Sequence, residues 1–388
     1  MTIFEAQTKE ERLALIEETA KAFKERAYKH DIEGTFPYEN YEDLKAIRYP
    51  AATVPKKYGG LEISLVEMLK AQEIIASYDG STGLSIGWHM GITKNIAELN
   101  VWEKEKYASY AKEVVEKNVL LNSAATELAT GSPTRGNRPQ TYAVEREDGW
   151  VLNGRKAFTT LSPILDYFAV TASIEGTDEV GNFLVPRHTP GLEVVETWDS
   201  VGMQATGSHD IVLQDVQVAK DDLLHYLTPG DKGAQGWLLH IPACYLGIAK
   251  GAMREALQFA TTYSPANIEG TISDIPTVKH KIGEIELLLL EMESILYRVA
   301  RKWDESDDNV RQTMKAELGA VKVSVVNKAN KVVDLAMRIV GARSLSAKNP
   351  LQRYYRDVRA GLHNPPMDDM TLVVLADQSI AQFKERPQ

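Results

Sequence analysis

The sequence predicts an α+β multidomain chain. An all-α N-terminal domain is expected over 1–118, a middle β-barrel or sandwich domain over 119–225, and a C-terminal four-helix bundle over 226–388. Three observations predict it. Leu120 to Val218 consists of short segments rich in valine, isoleucine, threonine, tyrosine and phenylalanine, with turn residues between them. Apolar residues spaced three and four apart flank that block on both sides, as amphipathic helices require. With 388 residues, the chain is also too long for one hydrophobic core.

From the N-terminus, residues 9 to 28 read as an amphipathic helix carrying Ile16, Ala20, Phe23 and Ala27 on one face. A short helix over Asp43–Ile47 ends before Pro50, and Val54-Pro55-Lys56-Lys57-Tyr58-Gly59-Gly60 forms a bend. Ser64, with Glu67 three residues on, reads as the cap of a helix reaching Ala76. Asp79-Gly80-Ser81 breaks it. Leu84–Leu99, with Trp88 and His89, and Glu103–Glu116 read as two more helices.

In the β block, Asp148-Gly149 between Ala143-Val144-Glu145 and Trp150-Val151-Leu152 predicts a hairpin. Further strands follow Asn153-Gly154, and His209–Val218 alternates as a half-buried strand through Ile211, Leu213, Val216 and Val218. Beyond it, Ala234–Thr262 is helical. Two long seams come next, one through Val278, Ile282, Ile285, Leu289, Met292, Leu296 and Val299, the other through Leu318, Val321, Val325, Ala329, Val332, Ala336 and Ile339. With a last helix after Met367 they make the bundle.

Composition narrows the function. Net charge is −10 with no basic stripe, which argues against nucleic-acid binding. No apolar run approaches the ~20 residues that span a bilayer, and no signal peptide is visible at the N-terminus. The single cysteine, Cys244, suits a reducing cytoplasm and packs in an apolar run. Dinucleotide, P-loop, zincin and nucleophile-elbow signatures are all missing, so generic motifs name no reaction.

Longer segments do. Val54-Pro55-Lys56-Lys57-Tyr58-Gly59-Gly60, Ala124-Ala125-Thr126-Glu127 with Gly131-Ser132, Gly149 to Thr160, Val201-Gly202-Met203 through Val218, and Arg353 to Arg359 stand in one order along the chain. In that order and spacing the sequence resembles the acyl-CoA dehydrogenase family of flavoproteins. The resemblance implies that family's fold, with a flavin between the middle domain and the bundle. FAD is the expected cofactor and FMN the alternative. It puts Thr126 and Ser132 against the ring and the phosphate side. Phe158, Thr159 and Thr160 would lie along the ring, Phe158 standing where the family usually has tryptophan. It further implies hydride transfer from an acyl-CoA or similar small molecule to flavin N5, an electron-transfer partner and a homotetramer.

Three departures matter. The family's catalytic glutamate is missing from Gly361-Leu362-His363-Asn364-Pro365-Pro366-Met367, and no carboxylate stands at its second location near Trp237–His240. The arginine that reaches a neighbouring subunit's cofactor is missing from Thr261–Pro265, and the Gly-Gly turn reads Gly341-Ala342-Arg343. Leu362-His363-Asn364-Pro365 and Gly87-Trp88-His89 instead resemble a branch of the same family, the dibenzothiophene-monooxygenase type, which receives reduced flavin from a separate reductase. His363 and His89 are therefore the candidate catalytic residues, expected to face one cleft, although each alone also reads as an ordinary core or surface histidine. Three readings stay open: a dehydrogenase, a two-component monooxygenase and a non-catalytic flavin- or acyl-binding homologue.

Overall fold

The computed structural model describes residues 1–131, 136–228, 230, 233–266 and 268–385. Five helices build the N-terminal part: α1 (Lys9–Glu33), α2 (Tyr38–Ala46), α3 (Leu65–Tyr78), α4 (Gly80–Leu99) and α5 (Lys104–Lys117). The expected stripe of α1 is buried, and Thr8 caps it in a reciprocal box with Glu11. Ser64 caps α3 through the Glu67 amide (3.1 Å), but the Glu67 carboxylate turns away to take Arg12 in a two-pronged pair. Tertiary pairing wins there over the local box. The break between α3 and α4 is a single residue. Asp79 ends one helix and caps the next, its side chain accepting from the Thr82 amide and hydroxyl.

The middle domain is one eight-stranded sheet: β1 (Leu121–Ala124), β2 (Tyr142–Arg146), β3 (Gly149–Thr159), β4 (Tyr167–Ile174), β5 (Val180–Pro186), β6 (Leu192–Val195), β7 (His209–Ala219) and β8 (Leu223–Leu227). The order is β6-β7-β3-β2-β4-β5-β8, with β1 parallel to β4. The expected hairpin pairs Glu145 with Trp150 and Arg146 with Gly149. A Cβ on Gly149 would come within 2.1 Å of the Val218 carbonyl oxygen, so glycine is needed for close approach there. Asn153-Gly154 does not separate two strands. β3 runs straight through it, the extra residue falls on β7 where Asp215 sits at φ 51°, and Asn153 clasps Asp215 through paired bonds of 3.1 and 2.9 Å.

The C-terminal part holds α6 (His240–Thr262), α7 (Pro276–Glu305), α8 (Asp308–Thr313), α9 (Lys315–Val340), α10 (Pro350–Ala360) and α11 (Asp368–Lys384). Every predicted seam residue of α9 is buried. On α7 the seam is buried from Ile285 to Val299, while Val278 and Ile282 are half-buried. α11 buries only Thr371. No described helix is long and apolar enough to cross a membrane.

Two of the joints between the middle domain and the helices bear on the site. At one, His89 of α4 takes the amide of Leu121, the first residue of β1. At the other, Asp357 of α10 takes the Met203 amide (2.6 Å), and Arg356 donates to the Val201 carbonyl.

Candidate active site

The site grows from a flaw in the ladder between β3 and β7. Lys156 pairs with Ile211 and Thr159 with His209, so three steps on β3 face two on β7. Phe158 absorbs the extra residue at φ 57° and stands 56% exposed, its ring edge-on to Trp198 at 6.1 Å. An exposed aromatic in left-handed backbone contradicts both burial and backbone preference. Such conformations cost ~1–3 kcal/mol and persist where the surroundings impose them.

The surroundings are clear. The Ala157 amide donates to the Thr126 carbonyl (2.8 Å), tying the loop after β1 to the bulge. One residue on, Glu127 is buried and accepts from Lys156 Nζ (2.7 Å), the amides of Gln140 (2.7 Å) and Thr141 (2.9 Å), and the Thr130 hydroxyl (2.8 Å). Burial alone would raise the Glu127 carboxyl, but Lys156 and Thr141 outweigh it and hold it down at about 2. Burial pulls the Lys156 ammonium down to about 8 in spite of Glu127, so both are ionised at neutral pH. This pair fixes the loop and the strand to each other.

Beside Phe158 the hydroxyls of Thr159 and Thr160 differ. Thr159 is wholly buried and its Oγ1 has no partner among the described residues. Thr160 is half-buried, its Oγ1 2.9 Å from Ser208 Oγ and its carbonyl accepting from Asn122 Nδ2 (2.8 Å). Thr126 is also half-buried. An aromatic face, a ledge of hydroxyls and an unpaired buried hydroxyl fit a flat ring with heteroatoms on its edge, as a flavin has. Ser132, the remaining expected cofactor residue, lies outside the described residues.

The two histidines part company. His89 does not face a cleft: it is wholly buried, Nε2 against the Pro50 carbonyl (3.1 Å) and Nδ1 accepting from the Leu121 amide (3.1 Å). With both nitrogens used and burial pushing its pKa down to about 4, it is a neutral fastener between α4 and β1. His363 sits on the short 3-10 turn Gly361–His363 after α10 and is exposed, without a hydrogen bond among the described residues. Its neighbour Asn364 is anchored by the Tyr245 hydroxyl (2.6 Å). No hydrogen bond joins the two histidines.

Sequence reasoning passed over Glu127, Lys156, Ser208, Thr206, Asp357 and His240 as site residues. Period-two alternation from Trp150 and Leu152 puts Lys156 on their buried face, a usable signal for its burial though not for its partner. His240 gave none. It is wholly buried, stacked on Trp237 at 5.7 Å with neither ring nitrogen bonded among the described residues, and burial pushes its pKa down to about 3. Asp357, deep in the α10 joint, is pushed by burial up to about 7 in spite of Arg353 and the Met203 amide. Among the described residues no cluster of three or more histidine, cysteine or acidic side chains is arranged to hold a metal.

Comparison with known proteins follows the same three-part division. Models of the acyl-CoA dehydrogenase N-terminal, middle and C-terminal domains match residues 8–108, 122–216 and 239–364. YdbM of Bacillus subtilis (strain 168), which carries a provisional acyl-CoA dehydrogenase name, is 49% identical over 362 residues, 93% of this chain and 94% of its own. The dibenzothiophene monooxygenase of Mycolicibacterium goodii is 24% identical over 375 residues, covering 90% of this chain and 89% of its own. A crystal structure of TdsC from Paenibacillus sp. A11-2 with FMN and indole superposes with a TM-score of 0.82 at 25% identity, covering 91% of this chain and 93% of that one.

Proposed function

The chain belongs to the acyl-CoA dehydrogenase family, and from that premise we propose that it is a flavin-dependent oxidoreductase of acyl-CoA dehydrogenase type. The flavin lies between the middle domain and the bundle, against the Phe158–Thr160 bulge, and the substrate is a small molecule. One observation carries this reading: Phe158 is held exposed and strained next to Thr160, in a bulge tied to the Thr126 carbonyl through the Ala157 amide. FAD is the expected cofactor and FMN, bound in the TdsC structure, the alternative. Ser132 keeps its assignment to the phosphate side from sequence alone.

Bound flavin supplies the two-electron chemistry; the chain orients it and moves a proton. His363 is the proposed proton-transfer group, exposed and free of hydrogen bonds among the described residues; an imidazole is the side chain suited to moving a proton near neutral pH. Dehydrogenation of an acyl-CoA needs a carboxylate within hydrogen-bond reach of the substrate. Of the two carboxylates that could substitute, Asp368 is committed elsewhere, accepting from Lys322 Nζ (3.0 Å) and Asn327 Nδ2 (2.7 Å) on α9, and Asp369 is exposed on the first turn of α11. That observation favours a second reading, a two-component monooxygenase served by a flavin reductase. A non-catalytic binder is the third.

The experiment reconstitutes the protein with FAD or FMN, then adds acyl-CoA without oxygen. Bleaching of the flavin supports the dehydrogenase, and oxygen-dependent substrate consumption with supplied reduced flavin supports the monooxygenase. Flavin bound with neither response supports the binder. In either enzyme His363→Ala should bind flavin as the parent does and lose turnover ~10²-fold or more. If turnover survives, His363 is a surface residue.

We also propose a homotetramer. Leu287 and Leu290 of α7, and Leu372, Val373, Ile380 and Phe383 of α11, are exposed apolar side chains that a partner copy would cover. A monomer by light scattering at micromolar concentration overturns this.

A further inference from the structure

We propose that Ser208 and Thr206 determine which redox state of the flavin the site prefers, by turning the Thr160 hydroxyl into an acceptor that selects the reduced ring. This rests on the reading that Thr160 faces the flavin, and takes its hydroxyl to stand at N5.

Three oxygen–oxygen contacts run inward from Thr160. Its Oγ1 lies 2.9 Å from Ser208 Oγ, which lies 2.8 Å from Thr206 Oγ1, which lies 3.0 Å from the Met203 carbonyl oxygen. Each hydroxyl has one proton, and oxygens this close attract only when a proton lies between them. There are three contacts and three protons, and the last oxygen, a carbonyl, cannot donate. One assignment places a proton in every contact: Thr160 donates to Ser208, Ser208 to Thr206, and Thr206 to Met203. The chain runs one way.

Its inner end is fixed. The Met203 carbonyl also accepts from Trp198 Nε1 (3.0 Å), while the Met203 amide is held by Asp357 (2.6 Å) and the residue sits at φ 56°. Thr206 and Ser208 are buried, 1% and 6% exposed, so water does not compete for their protons. Thr160, at the half-buried outer end, has spent its proton inward and presents only lone pairs.

An oxidised flavin meets such a hydroxyl badly. Its N5 is an acceptor, so acceptor faces acceptor. In the reduced ring N5 carries a hydrogen and donates to Thr160 Oγ1. Reduced flavin should therefore bind at least tenfold tighter than oxidised flavin, which for a two-electron couple raises the bound potential by ~30 mV.

The test is an oxygen-free titration of the protein with oxidised and with photoreduced FMN and FAD, followed by fluorescence. The parent should favour the reduced form at least tenfold. Thr206→Val frees the Ser208 proton to turn back to Thr160, and Ser208→Ala frees the Thr160 proton directly. In both variants the preference should fall toward unity or invert, with circular dichroism unchanged. Equal binding of the two states by the parent overturns the proposal, as do variants that weaken both states alike and keep the parent's ratio, the result a purely structural role would give. No flavin binding in either state overturns the flavin reading itself, and the inference with it.

Discussion

The seam between α7 and α9 and the outer end of β3 obey opposite rules. Along α9 every apolar side chain at a three- or four-residue interval is buried, from Leu318 to Ile339. At the end of β3 an aromatic is exposed, a lysine is buried and a threonine hydroxyl goes unpaired within eleven residues of strand. In the seam, local preference and tertiary packing agree, which is how a sequence specifies a stable core. At the β3 end they conflict, and the conflict is held in place by Glu127, Asn122 and Ser208. The contrast separates a region built for stability from one whose geometry serves a ligand.

The largest expected break is at the pair that imposes the conflict. Lys156→Met leaves the Glu127 carboxylate buried without its cation, at a cost of ~3–5 kcal/mol by denaturant unfolding. Glu127 also predicts a pH dependence. Its folded pKa, about 2, lies below the ordinary carboxyl value of 4.5, so it stabilises the fold above about 4.5 and this stability is lost as pH falls toward about 2. A variant as stable as the parent would make the pair incidental.

Next is the seam. Leu296→Ala removes a wholly buried side chain of α7 and should cost ~2–5 kcal/mol, with flavin affinity unchanged. An equal loss of flavin affinity would erase the distinction between the two regions. Thr160→Val reverses that pattern. It should weaken binding of reduced flavin by ~1–3 kcal/mol, because the hydrogen on its N5 is left unpaired, while unfolding shifts little. Should affinity match the parent's, Thr160 is only a strand residue. The smallest expected effect is the most diagnostic. Phe158→Gly relieves a left-handed conformation without emptying a core, so stability should hold or rise by ~1 kcal/mol while flavin affinity falls. A clear loss of stability would mean that the Phe158 ring is structural.

The histidines carry the same lesson. His89 and His363 both stand in motif-like settings in the sequence, yet one fastens α4 to β1 and the other is exposed. Sequence separation says nothing about which carbonyl or amide a ring nitrogen will meet. Likewise the Val201–Met203 and Arg353–Arg359 stretches were legible as separate motifs. That they form one joint, Asp357 on the Met203 amide and Arg356 on the Val201 carbonyl, was not.

What the sequence determined by itself was whatever depends on period and local chemistry. The three-part order, the α7 and α9 seams, the Ser64 and Asp79 helix boundaries and the hairpin at Asp148-Gly149 follow from neighbours within four residues. The family followed from motifs read in order. Only the tertiary structure decided the bulge at Phe158, the burial of Lys156 against Glu127, and the hydroxyl chain from Thr160 through Ser208 and Thr206 to Met203. Thr160 and Ser208 are 48 residues apart, and Glu127 and Lys156 29. A contact across such a distance is set by which strands share an edge and in what register. One residue of slip, as at Phe158, reverses which side chains face inward, so no local pattern encodes it.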